Sequence, residues 1–250
     1  MTRTDPPERT AQLQPCVDLS ETDLTDHLGF GKEKRRQGNL DILAGKTSFR
    51  DGFREMLESI PNTFDECAEV LKNNRLILWT DIKLDEGFKD FYKWTNTVDI
   101  PVIIVSSGMA PLIRAVLSKL IGEKDAKDIE IISNHVNVEP SGKWHIQFRH
   151  PTSGFGHDKS QAILPYRNLP EPPLLFFFGD GVSDMSAARH ADVLFVKKPP
   201  GKESDLATYC EKEGIPHILF ENFNQALPMV QAIVEGSMSV QEALKKGRTF

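Results

Sequence analysis

The chain has 250 residues, 39% hydrophobic and 26% charged, with a formal net charge of −6. That length holds one sizeable core, or a core with a modest inserted domain. The acidic balance argues against a broad nucleic-acid surface, which is normally basic, without excluding a small anionic substrate.

In chain order, residues 1–19 read as an irregular arm, polar and Pro-bearing, without the apolar core of a signal peptide. From 20 to 96 the chain reads as helical. Leu24 and Leu28, then Leu40, Ile42 and Leu43, then Phe49, Phe53, Met56, Leu57 and Ile60 fall at helical spacings. Thr63-Phe64-Asp65-Glu66 carries a capping-box pattern opening a helix to about Asn74. A further helix over Asp85–Thr95 puts Phe88, Phe91, Tyr92 and Trp94 on an apolar side. From 97 the pattern changes. Pro101–Val105 is short and β-branched, as a buried strand is; it ends in Ser106-Ser107-Gly108-Met109, and Ala110–Ile121 reads as a helix. Ile129–Ser133 predicts another strand. His135–Val138 and Lys143–Phe148 flank Glu139-Pro140-Ser141-Gly142 as a hairpin. Strands at Leu174–Phe178, Val193–Val196 and His217–Phe220 alternate with helices at Met185–Arg189, Ser204–Lys212 and Asn224–Val234. The polar tail, 239–250, predicts a short surface helix. Alternation of this kind predicts an α/β fold: a doubly wound, mostly parallel sheet over 97–238, with 20–96 as a small α-helical cap. There is no internal repeat. No stretch has the roughly 18 apolar residues of a membrane helix, so no membrane partner is expected. Cys16, Cys67 and Cys210 are odd in number and far apart, which suits a reducing cytoplasm rather than a disulfide framework.

Three places carry candidate chemistry. The run Leu174–Asp184, LLFFFGDGVSD, takes a buried strand into Gly-Asp-Gly, and Ser183 can cap the following helix. Asp180 is therefore expected at the carboxyl end of a strand, where open α/β sheets place their ligands. Asp184 lies one turn on, close enough for both carboxylates to share a hard cation such as Mg²⁺. The alternative is that the two aspartates only cap the turn. Ser106-Ser107-Gly108 brings hydroxyl and amide groups to a helix N-terminus, which suits a phosphate oxygen. Lys159 sits in a Gly-broken loop, Gly154-Phe155-Gly156-His157-Asp158-Lys159, that opens a short helix.

Hydroxyl, lysine and paired aspartates at successive strand ends resemble the haloacid dehalogenase superfamily of phosphatases. Ser106 looks like its second motif, Lys159 like its third and GDGVSD like its fourth. The helical block ahead of VIIVSSGM is similar to the cap of phosphoserine-phosphatase-like members. LTDHLGFGKEKR, TSFRDGFREML and IKLDEGFKDF resemble a subgroup related to the 2,3-diketo-5-methylthiopentyl-1-phosphate phosphatases. The resemblance implies phosphoryl transfer through an aspartyl-phosphate. In it, Asp180 holds Mg²⁺ against the phosphate, Ser106 binds a phosphoryl oxygen and Lys159 neutralises charge near the nucleophile. It also implies a small phosphorylated metabolite as substrate, read by cap residues such as Arg50 or Arg54. A methylthio-sugar phosphate, a phospho-amino acid and a prenyl phosphate all stay open.

One part is not found. The family's first motif, a strand ending in Asp-x-Asp-Gly-Thr, has its nearest counterpart in Cys16-Val17-Asp18-Leu19-Ser20, which lacks the Gly-Thr and follows Pro15. Two expectations follow. The chain is a phosphatase whose first segment is lost or replaced by residues 1–18, or it is a degenerate member that binds phosphorylated ligands or a partner without turnover. A nucleotide-binding domain is a weaker reading, since neither GxGxxG nor GxxxxGK[ST] is present where it would be needed.

Overall fold

The computed structural model describes residues 21–72 and 83–247. The arm expected at 1–19 lies outside them. In chain order the described elements are α1 (Glu21–Leu28), α2 (Lys32–Leu43), α3 (Phe49–Glu58), α4 (Phe64–Lys72), α5 (Phe88–Thr97), β1 (Ile103–Met109), α6 (Ala110–Ile121), α7 (Glu123–Asp128), β2 (Glu130–Val138), β3 (Trp144–Gln147), α8 (Ser160–Arg167), β4 (Phe176–Gly179), β5 (Val193–Lys197), α9 (Asp205–Glu213), β6 (Ile218–Phe220), α10 (Phe223–Val234) and α11 (Val240–Lys246). The class is α/β, as expected. Local signals set many boundaries. The Thr63 hydroxyl accepts the Glu66 amide while Glu66 accepts the Thr63 amide, the expected capping box of α4. Ser204 caps α9, and Ser239 with Glu242 boxes α11 in the tail.

The described chain divides into two compact units. Of the described residues, the first holds 21–72, 83–84 and Ile104–Lys159; the second holds Asp85–Ile103 and the chain from Ser160 on. In the first, the strands run in the order β1-β2-β3, and β2 and β3 form the expected antiparallel hairpin, Val138 opposite Trp144. Its core joins Leu24, Phe53, Met56, Leu57, Phe64 and Leu71 of the helices to Met109, Leu112, Val116, Trp144 and Phe148. In the second, β4, β5 and β6 are parallel and adjacent in that order. Phe88 and Phe91 of α5 pack there on Phe223 of α10, and Phe91 meets Phe178 of β4 edge-on at 5.7 Å. Phe178 stacks on Phe195 at 4.6 Å. These aromatics are core, buried among one another, which is the large apolar contact such rings supply. The described strands thus fall into two three-stranded sheets.

Several local expectations change. The helix predicted over Met185–Arg189 is instead two 3₁₀ turns, Val182–Asp184 and Ala188–His190. The segment is pinned at both ends: Asp184 Oδ2 accepts the Asp180 and Gly181 amides at its start, and Arg167 grips the His190 carbonyl and Asp192 at 2.8 and 2.9 Å before β5. Ser183 does not cap it. The strands expected at Ile129–Ser133 and His135–Val138 are one strand, β2. In α2 no residue is buried, and Leu40 and Leu43 face out. Bidentate pairing of Arg35 with Asp26 at 2.7 and 2.8 Å ties it down instead.

Candidate active site

Ser106, Ser107 and Gly108 lie inside β1, which runs to Met109 and passes directly into α6. They are strand end rather than loop. Met109 offers α6 no side-chain cap, and Pro111 in its first turn needs no amide partner. Ser106 is half-buried and Ser107 buried. The Gly108 N–H donates to Ser106 Oγ at 3.1 Å, so the Ser106 O–H points its hydrogen elsewhere. Both serine carbonyls are clamped. His157 Nδ1 sits 2.7 Å from the Ser106 carbonyl oxygen, and Asn134 Nδ2 donates to the Ser107 carbonyl at 2.6 Å. A carbonyl only accepts, so His157 carries its proton on Nδ1. Asn134 Oδ1 in turn accepts the Arg149 N–H at 2.9 Å.

Lys159 is 3% exposed, not the solvent-facing lysine that a loop position suggests. It lies two residues from His157, so the His157 bond brings the Lys159 segment to the Ser106 strand end. Burial, with the Lys159 charge next, pushes the His157 imidazole down to about 3, so it is uncharged at neutral pH. Two buried side-chain atoms here have no protein partner among the described residues: Ser107 Oγ and His157 Nε2. The loop before them is closed by the His150 amide on the Gly156 carbonyl at 2.7 Å, and His150 Nδ1 accepts the Asp158 amide at 3.1 Å. Gly156 has φ +68°, and a Cβ there would strike Phe148 and Arg50, so only glycine closes this loop against α3.

Arg50 and Arg54, both on α3, differ sharply. Arg50 sets Nε and Nη2 on the two oxygens of Asp51 at 2.9 and 3.1 Å, and Nη1 on the Pro151 carbonyl at 2.7 Å. Its donors hold α3 to the 149–157 loop. Hydrogen bonds from Arg50, then Ser48, hold the Asp51 carboxyl down at about 2. Arg54 makes a longer contact to Asp51, 3.3 Å, and lies over the Phe148 ring at 5.1 Å. With Phe30, Lys34 and Glu55 it lines an open groove of about 370 Å³.

In the second unit, Asp180 follows β4 directly and is exposed, the strand-end position expected for it. Asp184 is 1% exposed, and its Oδ2 accepts the Asp180 and Gly181 amides at 3.0 and 3.1 Å. Asp184 therefore caps the turn through these two amides. The carboxylates are hard oxygen donors on one short turn, and Mg²⁺ is commonly held by one or two carboxylates with substrate phosphate and water completing its shell. The pair fits that demand. No set of three or more His, Cys, Asp or Glu able to hold a metal occurs among the described residues. Asp85, 3% exposed at its side chain, pairs with Lys197 at 2.5 Å and accepts the Phe223 amide at 2.8 Å. Buried Cys67 and Cys210 have thiols pushed up to about 11 by burial, the behaviour of packing residues rather than nucleophiles.

Sequence reasoning did not single out His157, Asn134 or Asp85. The available signal was a polar residue inside an otherwise buried pattern, and it carries no motif. Asp18, the nearest first-motif candidate, lies outside the described residues.

The family model of the haloacid dehalogenase-like hydrolases matches residues 18–189. The chain is 42% identical over 230 residues to the polyol phosphate phosphatase PYP1 of Saccharomyces cerevisiae, spanning 89% of this chain and 90% of that protein. It is 47% identical over 202 residues to the Pdp3-interacting factor 1 of Schizosaccharomyces pombe, 80% and 83% of the two. It is 26% identical over 210 residues to a 2-hydroxy-3-keto-5-methylthiopentenyl-1-phosphate phosphatase of Bacillus velezensis, 82% and 80%. Among solved structures, a phospho-aspartyl intermediate analogue of phosphoserine phosphatase shares the fold, with TM-score 0.63 and 14% identity, over 89% of this chain and 99% of that one.

Proposed function

We propose that this chain, which belongs to the haloacid dehalogenase-like hydrolase family and is a phosphatase, removes the phosphate from a small polyhydroxylated metabolite, a polyol phosphate or a close relative of one. The observation that carries the reading is the burial of Lys159 in the segment that His157 pins to the Ser106 strand end. An ammonium and a serine hydroxyl brought to one strand end are the groups that phosphoryl transfer uses to neutralise and position charge. Identity of 42% across nine-tenths of a polyol phosphate phosphatase supports the substrate class.

On this reading Ser106 donates its O–H to a phosphoryl oxygen and Lys159 neutralises charge on the same group, the positioning and electrostatic work that phosphoryl transfer needs. Within the second unit, Asp180 and Asp184 are the carboxylates that would hold Mg²⁺, an ion that supplies charge neutralisation in phosphoryl transfer. The aspartyl-phosphate route assigns the attack to a first-motif carboxylate, the part not found in the sequence. Arg54, in the open groove on α3, reads the part of the substrate that leaves.

The test is phosphate release from a panel of polyol phosphates, phosphoserine and a methylthio-sugar phosphate with Mg²⁺. Asp180→Ala is expected to lower release by about 100-fold or more. Wild-type release no greater than that of the variant removes the reading. A second reading, a non-catalytic interaction protein, is favoured by the name of the fission-yeast relative. Saturable binding of a protein partner with no turnover on the panel would select it.

A further inference from the structure

We infer that His157 is a positioning residue for the phosphate-binding strand end, holding the Ser106–Ser107 peptide through its Nδ1–H so that the Ser107 N–H and the Ser106 side chain keep one direction. The inference rests on the reading of Ser106 and Lys159 as phosphoryl-binding groups and goes beyond it by assigning a role to a residue outside both motifs.

The geometry carries it in three steps. The Ser106 carbonyl accepts from His157 Nδ1 at 2.7 Å, from a residue 51 positions further along the chain. In a trans peptide the C=O and the N–H of the next residue point opposite ways, so fixing the Ser106 carbonyl fixes the Ser107 N–H. The Ser107 carbonyl is held in the same way by Asn134 Nδ2 at 2.6 Å, so the neighbouring peptide is fixed from β2. With both peptides held, the backbone presents the Gly108 N–H to Ser106 Oγ, which accepts it at 3.1 Å.

The imidazole is itself locked. His157 is fully buried and stacks on His150 with ring centroids 5.5 Å apart. Its own backbone amide bonds the Phe155 carbonyl at 2.7 Å. Lys159 follows two residues later, so one ring fixes the strand end and the segment that delivers the ammonium. Burial opposes protonation of the ring most, and the charges of Lys159, His150 and Arg149 add to that, against the Ser106 carbonyl, which favours it. The ring therefore acts as a neutral donor and not as a proton carrier, and Nε2 is left as a buried acceptor.

Two substitutions separate the nitrogens. Asparagine places an amide N–H near the Nδ1 position, whereas glutamine reaches toward the Nε2 position. His157→Gln is expected to lower kcat about 100-fold, since a catalytic group displaced by about 1 Å loses rate on that scale. His157→Asn is expected to restore kcat to within about threefold of wild type, a loss well under the roughly 1.4 kcal/mol that marks a tenfold change. The pH–rate profile should keep its shape in both variants. Hydrogen exchange at the Ser107 and Gly108 amides of the full chain is the second readout. It should speed up in His157→Gln and stay slow in His157→Asn. If glutamine preserves kcat and slow exchange while asparagine loses them, or if the acid limb of the profile moves in either variant, the inference is overturned. If wild type releases no phosphate from the panel, the phosphatase reading fails by itself and the exchange result decides the positioning role alone: unchanged exchange in His157→Gln overturns it, and faster exchange there with slow exchange in His157→Asn upholds it.

Discussion

At the scale of single residues, the two arginines of α3 show how one sequence pattern hides two jobs. Arg50 and Arg54 are four apart on a helix, and nothing in spacing separates them. The structure does: Arg50 has its guanidinium on Asp51 and the Pro151 carbonyl, while Arg54 lies across Phe148 beside an open groove. Arg50→Ala is accordingly expected to lower the melting temperature and leave KM unchanged. Arg54→Ala should leave the melting temperature in place and raise KM roughly tenfold, the scale of one lost hydrogen bond to a charged group. Thermal melts and steady-state kinetics on the two variants check this, and an unchanged KM in Arg54→Ala would remove that residue from the substrate site. Asp184 is a parallel case. Its buried carboxylate accepts two backbone amides, so Asp184→Ala is expected to cost about 1–3 kcal/mol in urea denaturation by stranding them. Asp184→Asn keeps a carbonyl acceptor there and should recover most of that stability while still weakening Mg²⁺-dependent turnover, which metal titration of the activity would reveal.

At the scale of elements, the turn after β4 is built around close approach. A Cβ on Gly179 would meet Leu206 and the Asp184 side chain within 2.9 Å, so the strand can end there only as glycine. The neighbouring contact of Asp85 with Lys197 and the Phe223 amide ties the approach to α5 onto the end of β5 and the start of α10. Asp85→Ala leaves a mostly buried ammonium without that carboxylate and should cost about 3–5 kcal/mol. Denaturant unfolding measures the loss, and a cost under about 1 kcal/mol would show the pair to be solvated. Much at this scale was legible in the residues. The capping box at Thr63 and Glu66, the hairpin around Ser141 and Gly142, and the apolar run into Gly179 each follow from local rules, and each was found where expected. Burial and partner were not legible. Leu40 and Leu43 fall at helical spacing and still face solvent, because periodicity gives a face without saying whether anything covers it. Lys159 sits in a Gly-broken loop by its sequence, and nothing there says that it is buried, as it is. His157 and Asn134 become meaningful only when residues 27 or more positions apart meet at one strand end, a fact of tertiary structure.

At the scale of the whole molecule, the neutral His157 makes stability depend on pH. Its folded value is held at about 3 by burial and by Lys159, while in the unfolded chain it titrates near its ordinary 6.5. The unfolded state then binds the extra proton, so the contribution is fully present above 6.5 and is lost as pH falls from there toward 3. Wild type should lose about 2 kcal/mol of unfolding free energy between pH 7 and 5 from this group, and His157→Asn should lose far less. Urea titrations at the two pH values check it; equal slopes would mean that the ring protonates in place. The way the chain is threaded has a consequence of another kind. Each unit is assembled from separated segments, because residues 85–103 belong with the chain from Ser160 on, while 104–159 return to the earlier unit. A ribosome therefore delivers Phe88 and Phe91 long before Phe178 and Phe223, the rings they pack on, are made. At roughly 5–20 residues per second, that aromatic face waits on the order of ten seconds without its native cover, an interval in which a holdase chaperone, rather than the polypeptide itself, would have to keep the nascent chain from aggregating.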